Sequence, residues 1–579
     1  MTGSRGTSFA GEASVDLDAG RDVPEGPGTG LEKPSRNRWR IRSEEKARRL
    51  KRVEKLARGR VLPTEKIVPV LEELVAPGDR VALEGNNQKQ ADFLSRSLAA
   101  VDPEKVHDLH MLISSISRPE QLDLFERDIA EKVDFSYAGP QSLRVAQLLA
   151  DGKLRVGAIH TYLELYGRLF VDLVPTVALV AAEAVDAEGN LYTGANTEDT
   201  PTIVEATAFR DGIVIAQVNE LVDELPRVDV PGSWVDFVVE ADKGYEVEPL
   251  FTRDPRQITD VQVLVAMLAI RGVYERHRVT SLNHGIGFGT AAIELLLPTY
   301  GESLGLRGEI CRDWVLNPHP TLIPAIESGW VNTIMPFGGE VGMEDYIAAR
   351  PDVFMTGPDG SARSNRMAAQ TAGLYATDMF IGSTLQMDGD ANSSTVIAGR
   401  LAGFGGAPNL GSDARGRRHS TPAWLDLSTA EGEIGRGRKL VVQMVETFGP
   451  DGAPRFVESL DAVQVGIDAG LPVAPVMVYG DDVTHVVTEE GVAYLYRARN
   501  LKERREALAA VAGVSPVGRK HDRGKEERLR EDGLVAFPED LGVRRANAKR
   551  SLLAAHSVGD LVEWSSGLYK PPDRFWSPS

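Results

Sequence analysis

Residues 283–319 gather the residue types needed to move an acyl group. Gly285, Gly287 and Gly289 alternate in a loop, Thr290 follows, and the apolar run AAIELLL begins a helix closed by Pro298. Residues 279–282, just upstream, read as a strand. A strand, a glycine turn and a helix start bring backbone N–H groups and the positive end of the helix dipole to one point, which suits an oxyanion or a phosphate. Beyond the helix, residues 304–310 read as a further strand carrying Glu309 among apolar neighbours. A carboxylate beside a glycine-lined anion pocket is what acyl transfer through an anhydride requires.

Other clusters have the same chemical leaning. Gly403, Gly405 and Gly406 form a second glycine turn, followed by Arg415, Arg417, Arg418 and His419, and Arg363 and Arg366 lie in a polar turn. Glycine turns next to arginines suit a dicarboxylate or a phosphate chain, because the guanidinium fork matches carboxylate and phosphate oxygens. Asn86, Asn87, Gln88, Lys89 and Gln90 follow the strand-like VALEG. Two readings stand for them: ligand contacts at the carboxyl end of a parallel sheet, or a cap on the next helix. His107 and His110 sit in a β-branched stretch where they would face opposite sides, and no third ligand cluster is near, so no metal site is expected.

These residues need a scaffold of at least two cores. The chain has 579 residues, 42% of them hydrophobic, which points to two domains and flanking segments. Continuous Val/Ile/Leu runs in residues 157–215, rather than alternation, predict α/β domains with largely parallel sheets covered on both faces by helices. We place a disordered and basic tail at 1–45, a first α/β domain at 46–254, a second at 255–500, and an extension packed on the second at 501–579. A loose repeat of strand, polar or glycine turn, helix and strand suggests two related domains facing each other across a cleft. The basic run at 36–60 reads either as a solvated leading helix or as a docking surface for an acidic partner.

Composition narrows the function classes. A net charge of -19 argues against nucleic acid as the main ligand. The single cysteine, Cys311, fits a reducing cytoplasm and reads as a small buried hydrophobe. The longest apolar region, residues 171–185, is broken by Asp172, Pro175 and Glu183 and falls short of the ~20 residues of a membrane span. The start of the chain lacks the apolar segment of a signal peptide.

The strings LEGNNQKQADFL, HTYLELYGRLFVDLVP, GNLYTGANTEDTP, PRVDVPGSWVDF, LNHGIGFGTAAIELLLPTYG, LNPHPTLIPAIE and GFGGAPNLG resemble the alpha subunits of biotin-independent malonate decarboxylases. The resemblance runs over about residues 40–560. The wider superfamily is that of the class I coenzyme A transferases, with the citrate lyase alpha subunit as a cousin. VTHVVTEEGVAYL is similar to the closing motif of that superfamily and GFGG to its glycine motif, although Ala407, Pro408 and Asn409 replace the usual Asp-Phe continuation.

The resemblance implies an acyltransferase that exchanges the acyl group of a carrier-protein thioester between acetate and malonate. Partners would be an acyl carrier protein and the decarboxylase beta and gamma subunits in a hetero-oligomer. The thiol would belong to the carrier's phosphoribosyl-dephospho-coenzyme A arm, with no cofactor bound covalently to this chain. Glu309 would be the nucleophile, or an orienting acid if malonate attacks directly. Gly285, Gly287, Gly289, Gly403, Gly405 and Gly406 would hold the oxyanion and thioester. Substrate contacts would come from Asn86, Asn87, Gln88, Asn283, His284, Arg363, Arg417 and Arg418. A free coenzyme A transferase and a non-catalytic carrier-binding scaffold are the alternatives.

Overall fold

The two longest apolar runs become central strands because both of their faces are covered. In the segment Val177–Val185, the side chains of Val177, Leu179 and Ala181 enter one apolar layer and those of Ala178, Val180 and Ala182 enter the other. Ile213–Leu221 lies parallel beside it and is buried in the same way. Period-two alternation between two layers of helices explains why these runs show no polar face. The structure, a computed structural model, describes residues 38–86, 89–245, 249–250, 253–362, 377–411 and 439–575.

The first sheet contains β1 (Val61–Leu62), β2 (Arg80–Leu83), β3 (Leu109–Ser115), β4 (Ala130–Tyr137), β5 (Arg155–Ile159), β6 (Val177–Val185), β7 (Leu191–Tyr192), β8 (Ile213–Leu221) and β9 (Phe237–Glu240). Its order is β1-β9-β8-β6-β2-β3-β4-β5, parallel throughout, with β7 antiparallel on the end of β6. The second unit contributes β10 (Ser281–His284), β11 (Asp313–Leu316), β12 (Thr333–Pro336) and β13 (Met379–Ser383). Two short hairpins follow, β14 (Gln386–Met387) with β15 (Ser393–Ser394) and β16 (Val396–Ile397) with β17 (Arg400–Leu401). The sheet resumes with β18 (Leu440–Met444), β19 (His485–Val487), β20 (Val492–Tyr494) and β21 (Val535–Ala536), in the order β12-β11-β10-β13-β18-β19-β20-β21. It is parallel as far as β19 and closes with two antiparallel strands. Both units are therefore α/β layers with largely parallel sheets.

The units are interleaved. Val396, Leu401, Leu460, Ala462 and Val465, all from the later part of the chain, lie in an apolar layer of the first sheet. The helix Arg38–Val53 runs across the boundary drawn at residue 45, and its cations are taken up locally: Arg42 donates to the Pro175 carbonyl, Lys46 pairs with Asp236, and Arg49 pairs with Asp79. These contacts favour a leading helix docked on its own domain over a surface reserved for an acidic partner. Residues 501–575 wrap the second unit, where β21 extends the sheet and the Ala554 amide donates to Leu295. No helix among the described residues is long and apolar enough to cross a membrane.

Candidate active site

Strands β10, β13 and β18 are neighbours, and their carboxyl ends open on one cavity of about 480 Å³. In parallel sheets this edge is where loops and helix starts converge on ligands. From β10 comes the loop with Gly285 and Gly287, leading into the helix Phe288–Leu296, which begins two residues earlier than Thr290 and holds Gly289 in its first turn; all three glycines line the cavity. The loop is drawn tight: the Gly285 amide donates to Ile381 at 2.8 Å, and the Thr290 hydroxyl contacts the carbonyls of Gly285 and Gly287 at 2.7 and 2.8 Å. A methyl group at Gly285 would lie 3.2 Å from the Gly382 Cα, which leaves the two backbones little slack. The amides of the first helical turn have no acceptor inside the helix, and its dipole adds positive potential at the same spot.

The second glycine loop meets the first across the cavity. Gly403 and Gly405 take φ of +74° and +60°, a conformation that favours glycine. This lets the loop lie on the carboxyl end of β4, where the Ser136 carbonyl accepts from the Phe404 and Gly405 amides at 2.7 and 3.0 Å. A methyl group at Gly403 would sit 2.4 Å from that carbonyl oxygen. Gly406 completes this wall, and Tyr137 and Tyr162 add the first unit's side, with the Tyr162 hydroxyl 2.9 Å from Ser115 Oγ. All six nominated glycines thus line one cavity between the units.

Glu309 is not there. The strand expected over 304–310 is a series of turns, because Gly305 and Gly308 adopt φ of +69° and +81° and break the extended path. Glu309 is 56% exposed and pairs with Arg278 at 2.8 Å. It lies at the amino end of β10 and β11, the edge of the sheet opposite the cavity. As a nominated nucleophile it is corrected to a surface ion pair.

The nominated polar contacts divide similarly. His284 belongs to the cavity wall, but its ring is buried and engaged: Nδ1 lies 2.9 Å from Glu294 Oε1 and Nε2 lies 2.7 Å from the Tyr274 hydroxyl. Its role is corrected from substrate contact to support of the glycine loop. Asn283 Nδ2 donates to the Val315 carbonyl, which ties the same loop to β11. Asn86 is buried and donates to Asp199 at 2.9 Å, away from the cavity lining. Asn87, Gln88, Arg363, Arg417 and Arg418 lie outside the described residues, as do residues 1–37.

Glu294 is the centre of a network that sequence reading missed. Oε1 receives His284 and His319, each through Nδ1 at 2.9 Å, and Oε2 receives the Thr321 hydroxyl. Burial pushes this carboxyl up, but the charge of His319 and the hydrogen bonds from both imidazoles outweigh it and hold the pKa at about 2. Burial pushes His284 below the usual histidine range, so its ring is neutral. It then carries its proton on Nδ1 toward the carboxylate, and Nε2 accepts from Tyr274. A lone acid in the apolar run AAIELLL was the available signal.

Three charged side chains on the cavity wall also went unnoticed. Glu446 follows β18 and is the acid among the described lining residues; its Oε1 accepts from Gln262 Nε2 at 2.9 Å. Arg455 is half-buried, and Arg400 lies exposed at the rim, its Nε 3.3 Å from Ser142 Oγ. Glu446 and Arg455 sit in no glycine or arginine motif, whereas Arg400 stands three residues before Gly403 in the second glycine turn. Cys311 is buried with its thiol pushed up by desolvation, as a small apolar side chain behaves.

The family model described as "Malonate decarboxylase, alpha subunit, transporter" matches residues 38–577. The chain is 58% identical to the acetyl-S-ACP:malonate ACP transferase of Malonomonas rubra, over 89% of this chain and 94% of the relative. Among solved structures it is similar to a Pseudomonas malonate decarboxylase hetero-tetramer in complex with malonate, at 67% identity and a TM-score of 0.89 over 94% of this chain and 100% of that one. It is also similar to the malonate decarboxylase alpha subunit of Acinetobacter baumannii, at 62% identity and a TM-score of 0.88 over 93% of this chain and 100% of that one. A citrate lyase alpha subunit from Streptococcus mutans, 14% identical with a TM-score of 0.54 over 82% of this chain and 86% of that one, shares the fold. By the extent of the family match and by these identities, the chain belongs to the malonate decarboxylase alpha-subunit family.

Proposed function

We propose that this chain transfers a carrier protein's thiol between acetate and malonate, converting acetyl-carrier and malonate to malonyl-carrier and acetate. The observation that carries the reading is the convergence of two glycine loops on one cavity at the carboxyl ends of β10, β13 and β18. A malonate carboxylate attacks the acetyl thioester carbonyl, and the tetrahedral oxyanion forms against the backbone donors that open the helix Phe288–Leu296. Each such donor is worth roughly 3–4 kcal/mol in the transition state. Collapse expels the thiolate and leaves an acetyl–malonyl anhydride. The thiolate then attacks the malonyl carbonyl, acetate leaves, and malonyl thioester remains, with no net proton change.

The thiol is that of a phosphoribosyl-dephospho-coenzyme A arm on an acyl carrier protein, and exposed Arg400 at the rim suits the arm's phosphates. The chain works within a complex containing the carrier and the decarboxylase beta and gamma subunits. This fits the hetero-tetramer of its Pseudomonas relative.

The experiment supplies acetyl-carrier and labelled malonate to the purified chain and reads label on the carrier. Label is expected as malonyl-carrier, and only when acetyl-carrier is the donor; transfer from free acetyl-coenzyme A at a comparable rate would support a free coenzyme A transferase, and carrier binding without label a scaffold. Hydroxylamine added during turnover distinguishes the chemical routes. Direct attack leaves Glu446 unmodified in a mass spectrum, whereas a covalent route through the cavity's acid converts it to a hydroxamate.

A further inference from the structure

The strongest unassigned feature of the cavity is the Arg455 guanidinium. Its backbone is strapped on both sides: the Arg455 amide donates to Thr447 at 3.0 Å, and its carbonyl accepts from Met387 at 2.9 Å. The guanidinium lies over the Gly449 backbone, where a methyl group would come within 2.5 Å of Nη2. Its only protein hydrogen bond among the described residues is a long one, Nη1 to the Leu385 carbonyl at 3.4 Å. No described carboxylate pairs with it: Asp451 Oδ1, which the same methyl group would meet at 2.5 Å, accepts from the Ala453 amide and makes no ion pair with the guanidinium. A half-buried cation with four of its five N–H groups uncommitted calls for an anion with two oxygens.

Its position narrows the choice of anion. Leu385 follows β13, and Glu446 to Arg455 follow β18, whereas the oxyanion loop follows β10. Arg455 and the glycine loop line the same cavity, so an acid reacting at the loop can offer the guanidinium a second carboxylate only if it is a dicarboxylate.

We infer that Arg455 holds the non-reacting carboxylate of the acid and so selects dicarboxylates over monocarboxylates, an assignment that rests on the transfer reading above. The same chain offers an internal reference, because exchange of labelled acetate into acetyl-carrier uses the glycine loops but has no second carboxylate to hold. In Arg455→Gln the KM for malonate is expected to rise roughly 30-fold or more, with kcat within about threefold, while the KM for acetate moves less than about threefold. Arg455→Lys, which keeps the charge and loses the fork, falls between. Malonate should raise the melting temperature of the wild type and not of Arg455→Gln, a readout independent of turnover. Equal losses with both acids, or an unchanged malonate KM, would overturn the assignment. Failure of the transfer reading shows separately, as a wild-type chain that exchanges neither acid.

Discussion

Glu84 beneath the first sheet and Glu294 beneath the second are both withdrawn completely from solvent, yet they stand on opposite sides of their ordinary titration point. Burial pushes Glu84 up to about 7, and Lys89 only partly counters it. The reason is geometric: Lys89 Nζ stands 3.6 Å from Glu84 Oε1 and spends a hydrogen bond on Thr200, while the Asp199 charge adds repulsion. Glu84 does accept from the Ala181 amide and the Thr200 hydroxyl, whereas Glu294 receives two imidazoles and a hydroxyl, with the charge of His319 added. A cationic donor in direct contact, more than neutral donors with a cation farther off, keeps a buried carboxylate ionised. The ionised one lies behind the first glycine loop, where it fixes the tautomer of His284 immediately before Gly285.

The hardest test of this contrast is to remove the carboxylate with the most donors. Glu294→Ala strands His284, His319 and Thr321 around an empty acceptor position and should cost roughly 3–5 kcal/mol in a denaturant titration. A loss below about 1 kcal/mol would mean that the donors find other acceptors and the contrast is void. A subtler test uses pH. Between 4.5 and about 7 Glu84 keeps its proton in the fold and loses it in the unfolded chain. Its contribution is therefore present below pH 4.5 and disappears as pH rises through 7. Glu84→Gln removes that slope, so the variant should gain on the wild type by an amount of order 3 kcal/mol between pH 5 and 8. Glu294 has the reverse sign: its contribution is present above 4.5 and lost as pH falls toward 2. The smallest effect belongs to the exposed acid. Glu309→Gln should change stability by less than about 1 kcal/mol and the transfer rate by less than about twofold; a hundredfold loss of rate would restore it as the nucleophile.

The layered sheets were legible because runs such as Val177–Val185 can satisfy nothing but two apolar faces. The two glycine loops were legible for a related reason, since alternating glycines between a strand and a helix leave few structural alternatives. What failed was local inference about charge. LGLRGEI has the composition of a strand, and only the left-handed φ of Gly305 and Gly308 reveals a turn. Glu446 and Arg455 reach the cavity because β18 is laid beside β13 in space, a pairing between residues about sixty positions apart. His284 misled because a histidine next to a glycine loop resembles a ligand contact, whereas its partners come from other elements of the fold.

The hold of the second glycine loop on β4 limits how substrates can arrive. The Ala138 amide on Ala402, the Ser136 carbonyl on Phe404 and Gly405, and the Tyr162 amide on Gly405 bind the later segment to the earlier domain through main chain, beside the packing of Val396 and Leu401. Parting the halves like a clamshell would rupture this whole set at once. A thioester must instead come in past the rim, where Arg400 stands exposed.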